Sequence, residues 1–150
     1  MCIRDRLSGA WGVADTDTGA PLTPQHLFRI ASHSKTFTAT ATMILAARGT
    51  LRLDDRAGAY VPELEGSAAA AFTIGDLLAH ATGVIRDGYD ADYWQLHSPF
   101  PDEAGLLEIL RDRADILPPA TKLKYSNIGY SLLGLILARA TGKTLSLIHI

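Results

Sequence analysis

The chain has little of what several large classes of function require. A single cysteine, Cys2, in 150 residues excludes an internal disulfide framework and leaves too few thiols for a cysteine-based zinc site. No apolar run approaches the roughly 18 residues of a membrane span. Charge of one sign is also missing. Against 14 Lys and Arg stand 16 Asp and Glu, a formal net charge of -2, so there is neither a basic stripe for nucleic acid nor a polybasic patch for an anionic membrane surface. Asparagine is reduced to one residue, Asn127. What is present is a 47% hydrophobic composition, enough for a globular core, and the expected partner is a small molecule or peptide of weak charge.

The two ends share an origin. Met1 to Arg6 can be encoded by ATG TGT ATA AGA GAC AG plus one base, and the reverse complement, CTG TCT CTT ATA CAC AT, encodes Leu145 to Ile150. That word resembles the transposon-end adapter of sequencing libraries, so residues 1–6 and 145–150 are expected to be foreign to the protein and are set aside from fold reasoning. Residues 7–144 then carry 12 basic and 15 acidic side chains.

Along that span, Leu7 to Asp15 is apolar and punctuated by glycine, which predicts a strand, and Thr16 to Pro24 is rich in turn residues. Ser34 to Arg48 is apolar on most sides and stopped by Gly49, which predicts a buried helix despite its threonines. Leu51 to Leu64 is expected to be loop with a short helical turn, and Ala68 to Ala71 surface filler. Thr73 is placed to cap a short helix through Ala79, with Asp76 in its first turn. Apolar Leu106, Leu107, Ile109 and Leu110 predict a helix over Asp102 to Arg113. Pro118 and Pro119 enforce an extended approach to Tyr125, and Ile128 to Ala140, stopped by Gly142, predicts a core helix. There is no internal repeat and no sign of a second domain.

Two short patterns carry chemistry. Ser32-His33-Ser34-Lys35 puts a hydroxyl and an amine one helical turn apart on one face at a helix start. A serine hydroxyl is a poor nucleophile until a neighbouring base takes its proton, and a desolvated lysine can serve. The helix N-terminus adds a field that favours developing negative charge. With 8 Ser and 4 Lys the spacing arises by chance in about one such chain in five, so a helix cap followed by a surface lysine is the competing reading. Tyr125-Ser126-Asn127 is the second pattern. A phenol beside an ammonium can accept a proton, and a carboxamide can hold both a lysine and a substrate carbonyl. Here the competing reading is a core tyrosine followed by Asn127 as a helix N-cap.

In this order the two patterns resemble the serine β-lactamase and penicillin-binding-protein superfamily, in its branch of class C β-lactamases, D,D-carboxypeptidases, D-aminopeptidases and esterases. The likeness extends over Leu27 to Asp55, Thr73 to Val84 and Pro118 to Lys143. It implies an α/β fold, an antiparallel sheet flanked by helices with a mostly helical region beside it, of which residues 7–144 would be the N-terminal portion of a single domain. It implies Ser32 as nucleophile, Lys35 and Tyr125 sharing the proton transfer, and Asn127 contacting substrate or Lys35. The reaction implied is acyl transfer from an amide, β-lactam, D-amino-acid peptide or ester carbonyl to water, with no metal or organic cofactor. A non-hydrolytic penicillin-binding or sensor domain, which acylates without turning over, would carry the same motifs. A purely structural helical domain would require the two motifs to lie apart. The family's third element, Lys-Thr-Gly or His-x-Gly, has no counterpart: Lys143-Thr144 is followed by Leu145, so this chain alone is expected to be inactive.

Other residues carry smaller expectations. His33 reads as a partly exposed neighbour of the nucleophile, and His80 as a structural histidine satisfying a helix C-terminus. Tyr89, Tyr93, Trp94 and His97 either line a pocket mouth or pack a loop on its own aromatics. Asp54 and Asp55 read as a solvated turn.

Overall fold

The computed structural model describes residues 7–87, 93, 97–112, 117–118 and 123–144. Tyr89, Trp94, Arg113, Pro119 and both adapter-like ends lie outside them. The chain divides into two compact units, Met1–Ala31 and Ser32–Ile150.

In the first unit the strand expected over Leu7 to Asp15 is not formed. A single antiparallel bridge joins Val13 to Pro21, around a turn in which the Asp15 carboxylate accepts the amides of Asp17 and Thr18 at 2.8 and 3.2 Å. One bridge satisfies too few backbone groups to make a ladder. Among the described residues the only other bridge pairs Arg56 with Thr73.

The second unit is helical. Its α-helices are α1 (Ser34–Ala47), α2 (Ile74–Leu78), α3 (Glu103–Asp112) and α4 (Asn127–Thr141). Between α1 and α2 run short 3₁₀ turns at Ala57–Ala59, Pro62–Leu64 and Ala68–Ala71. Among the described residues no helix is long and apolar enough to cross a membrane. The helix ends follow local chemistry. The Thr73 hydroxyl accepts the Asp76 amide and caps α2, whereas Gly142, at φ 67°, closes α4 in the left-handed conformation that an L side chain disfavours.

The core is organised around α4, whose Leu132, Leu133, Ile136 and Leu137 are fully buried and repeat at helical spacing. α3 packs Leu106, Leu107, Ile109 and Leu110 into the same core, and Leu51, Leu64, Ile74, Leu77 and Val84 complete it. Arg139 of α4 reaches Glu63 at 2.9 Å and also pairs with Glu103 of α3, tying the rim of this core together.

Two expectations are corrected here. Ala68 to Ala71 is not surface filler: Ala69 is fully buried, and the turn approaches Gly58 so closely that a Cβ added there would stand 3.1 Å from the Ala70 Cβ. Small side chains are present because two turns touch. Nor is α1 buried all round. It buries only Thr38, Ala41 and Thr42, while Phe37, Met43 and Ile44 are half exposed. The Thr42 hydroxyl is accommodated inside because it donates to the Thr38 carbonyl one turn back, at 2.8 Å.

Candidate active site

The nucleophile candidate stands where helical geometry begins. Ser32 sits in the 3₁₀ turn Ala31–His33 that leads into α1, and its side chain is exposed. The residue before it, Ala31, has φ 46°, a conformation an alanine adopts only under constraint. One turn on, the Lys35 Nζ lies 3.5 Å from the Ser32 Oγ. The 3₁₀ turn supplies the hydroxyl and the first turn of α1 the amine, within reach of one another as the spacing requires.

The partners arrive from more than 90 residues away. The Tyr125 hydroxyl is 2.6 Å from the Ser32 Oγ, and Lys35 donates to the Asn127 Oδ1 at 2.6 Å. The ammonium also lies 4.9 Å from the Tyr125 ring centroid and 5.7 Å from that of Tyr130. All four residues singled out in the sequence, Ser32, Lys35, Tyr125 and Asn127, thus meet at one place.

The segment that brings Tyr125 and Asn127 there is sewn to residues 80–87 by backbone groups. Lys124 N–H donates to the His80 carbonyl at 3.0 Å, and Asn127 and Ile128 N–H donate to the Arg86 carbonyl at 2.8 and 3.1 Å. Ser126, not Asn127, caps α4. Its hydroxyl accepts the Gly129 amide and donates to the Ile85 carbonyl, both at 2.8 Å. The turn that delivers residues 84–87 requires a glycine at 83: φ is 75°, and a Cβ there would stand 2.2 Å from the Leu117 carbonyl oxygen.

Sequence reasoning missed two contributors, Arg86 and Asp87, and gave a third, His80, the wrong partner. Asp87 accepts from the Asn127 Nδ2, which orients the carboxamide so that its oxygen faces Lys35, and its other oxygen pairs with Arg86 at 3.0 Å. The Arg86 guanidinium lies 5.7 Å from the Tyr125 ring. His80 is half-buried, with its ring centroid 4.6 Å from that of Tyr125 and 4.8 Å from that of Tyr130. Burial first, and then the Lys35 charge, hold the His80 imidazole below its ordinary range. Its Nδ1 accepts the Ser126 amide at 3.2 Å, so its role is structural, as the sequence suggested, but its partner is Ser126 and not the end of α2. Proximity to α2 was its only local signal, and that signal misled.

Electrostatics at Tyr125 are a contest. Burial pushes the phenol up, but the hydrogen bonds of Lys35 and Ser32, joined by the charges of Lys35 and Arg86, outweigh it, so the net displacement is downward. Such a phenol gives up its proton more readily than a free tyrosine and can exchange it with a hydroxyl at 2.6 Å.

Beside Lys35 and Asn127 opens a cavity of about 460 Å³, walled largely by Tyr93, Phe100, Leu106, Ile128 and Tyr130. Tyr93 is buried, donates to the Asp87 carbonyl and packs on Phe100 at 4.9 Å. His33 and His97 are exposed, and Asp54 forms an exposed ion pair with Arg52 at 2.9 Å. Among the described residues, no three His, Cys, Asp or Glu side chains gather as metal ligands would.

The sequence matches the family model described as Beta-lactamase over residues 4–147. The chain belongs to the β-lactamase family. It is 32% identical over 140 residues to penicillin-binding protein 4 of Amycolatopsis lactamdurans, a match covering 90% of this chain and 35% of the relative. To a β-lactamase of Pseudomonas fluorescens it is 32% identical over 137 residues, covering 89% of this chain and 35% of the relative. Among solved structures it resembles the class C β-lactamase of Rhodobacter sphaeroides, with a TM-score of 0.71 and 32% identity over 92% of this chain and 37% of that one. It also resembles a β-lactamase/D-alanine carboxypeptidase of Pseudomonas syringae, with a TM-score of 0.71 and 27% identity over 90% and 36% of the two chains. The helical arrangement is thus that of part of a β-lactamase fold. The chain spans about a third of the length of the curated relatives it matches.

Proposed function

We propose that this chain carries the acylation centre of a serine hydrolase that acts on an amide, β-lactam, D-amino-acid peptide or ester carbonyl. The observation that carries the reading is the Tyr125 hydroxyl at 2.6 Å from the Ser32 Oγ, under the influence of the Lys35 ammonium.

The Ser32 oxygen attacks the carbonyl carbon while its proton passes to Tyr125, which lies within the ~2.6–3.2 Å over which direct transfer operates. Lys35, at 3.5 Å, lies beyond that range and acts by stabilising the ionised phenol. The carbonyl carbon–heteroatom bond then breaks, the leaving amine or alkoxide takes the proton from Tyr125, and the acyl group remains on Ser32 as an ester. A water molecule, deprotonated by the same pair, releases the acid and regenerates the hydroxyl. Asn127 has one amide hydrogen on Asp87 and its oxygen on Lys35, which among the described residues leaves its second N–H for a substrate carbonyl.

The wider architecture belongs to the same proposal. Residues 7–144 form the N-terminal portion of one β-lactamase-related domain, flanked by adapter-derived residues, and the natural protein adds the antiparallel sheet and a third motif. The one-third coverage of relatives and the strand complementarity of the two ends support this reading. Sequencing outward from residues 7–144 on source DNA tests it: codons for 1–6 and 145–150 continuous with the genome would overturn it. On the protein from the complete reading frame, a chromogenic β-lactam and an activated ester test the chemistry. Turnover that vanishes in Ser32→Ala supports hydrolysis. A stoichiometric burst without turnover supports the acylating sensor instead. Equal reaction by Ser32→Ala would remove Ser32 from the mechanism.

A further inference from the structure

His80 lies 45 residues before Tyr125 and takes no part in the proton transfer just described, yet three separate contacts tie it to that residue. Its carbonyl accepts the amide of Lys124, on one side of Tyr125, at 3.0 Å. Its ring Nδ1 accepts the amide of Ser126, on the other side, at 3.2 Å. Its imidazole lies against the phenol ring itself, with centroids 4.6 Å apart and planes inclined by 35°.

The two amides that His80 holds with its carbonyl and its ring flank Tyr125 in one segment, and the His80 backbone is itself left-handed. Its φ is 56°, and it is one of two non-glycine residues with positive φ among those described. Histidine enters this region more readily than most side chains, but still at a cost that the surrounding contacts must outweigh.

We propose that His80 is the positioning residue for Tyr125: its carbonyl and ring nitrogen clamp the two flanking amides while its ring sets the phenol against Ser32 and Lys35. The proposal rests on the acyl-enzyme reading only for the consequence that Tyr125 placement governs acylation. The clamp needs a neutral ring, because Nδ1 accepts only when the proton is on Nε2. The surroundings favour that form. Lys35 of α1 and Arg86 beside Tyr125 are the cations nearby, Tyr125 and Tyr130 contribute phenols, Asp76 of α2 is engaged by the Thr73 hydroxyl, and Lys124 contributes its amide. Protonating His80 would put a donor where Ser126 needs an acceptor and would add a third positive charge.

The test uses the protein from the complete reading frame, labelled with ¹⁵N and ¹³Cζ-tyrosine, in native form and as His80→Asn and His80→Gly. Asparagine tolerates the left-handed backbone and offers a carboxamide oxygen in place of Nδ1, whereas glycine keeps the backbone and deletes the ring. In the native chain, hydrogen-exchange protection of the Ser126 amide should fall as pH drops below the ordinary histidine value of about 6.5, while that of Lys124, bonded to the carbonyl, should not. His80→Asn should make Ser126 protection independent of pH. His80→Gly should abolish it at every pH, move the Tyr125 phenol up toward about 10, and slow acylation of Ser32 by at least about tenfold. If His80→Gly fails to fold, the native pH series and His80→Asn still decide. Ser126 protection indifferent to pH in the native chain, or a Tyr125 titration unchanged in His80→Gly, overturns the proposal. Intact amide and phenol responses with no acylation of any variant would support the clamp and strike the acyl-enzyme reading instead.

Discussion

Helices α1 and α4 are close in length, 14 and 15 residues, and both are predominantly apolar, yet their surroundings differ. α4 buries six residues along one stripe, and its N-terminus is capped by the Ser126 side chain. α1 buries three, its N-cap His33 makes no side-chain cap bond, and Phe37, Met43 and Ile44 remain half exposed. Stability is therefore concentrated around α4, which carries Asn127 and follows Tyr125, whereas Lys35 rides on the less embedded helix and Ser32 on the turn that leads into it. The difference teaches that apolar composition predicts a helix but not its cover. Cover depends on which other elements reach it, and for α4 they are α1, α2, α3 and the 3₁₀ turn Ala57–Ala59, whereas α1 packs chiefly on α4.

The sharpest way to break this comparison is to truncate one side chain on each helix. Leu132→Ala removes a fully buried side chain and should cost about 2–5 kcal/mol, against under about 1 kcal/mol for Ile44→Ala, both read from urea denaturation. Equal costs would show that α1 is as embedded as α4. Next in size is Ser126→Ala, which deletes the α4 cap and the bond to the Ile85 carbonyl. A loss of about 1–2 kcal/mol is expected, again from denaturation midpoints.

How much of this was legible in the sequence depended on the range of the interaction. Helix stops at Gly49 and Gly142 and the Thr73 cap are written in adjacent residues, and the structure places them as local chemistry dictates. The four site residues could be singled out because Ser-x-x-Lys is a one-turn pattern and Asn127 is the only asparagine. Arg86 and Asp87 could not, and the partner of His80 could not. Each acts on residues about 40 positions away, Arg86 and Asp87 after a turn set by Gly83, and no period in the sequence encodes that distance. Ala68 to Ala71 was misjudged because small residues look alike whether they are filler or a close packing contact. The strand expected over Leu7 to Asp15 reduced to one bridge, since a strand requires a ladder partner as well as the right residues.

Acidification should act on the α4 side of the comparison first. The His80 value in the folded chain lies below its ordinary one, so the unfolded chain binds the proton more readily. The stability from the neutral ring is fully present above about 6.5 and is lost as pH falls through the depressed folded value. Thermal midpoints should therefore drop on moving from neutral to mildly acidic buffer, and His80→Asn should flatten that dependence. Smallest of all, Arg52→Gln breaks an ion pair whose side chains are about 70% exposed and should leave the denaturation midpoint unchanged.

The central claim is that the two helices jointly build one acylating centre, and site-mapped labelling tests it most directly. The protein from the complete reading frame is treated with a fluorophosphonate or a penicillin, digested, and its modified peptide sequenced by mass spectrometry. The account predicts a single adduct on Ser32, absent in Ser32→Ala and formed at least about a hundredfold more slowly in Tyr125→Phe and Lys35→Ala. An adduct on another residue, or one formed at the native rate without Tyr125 and Lys35, would contradict it.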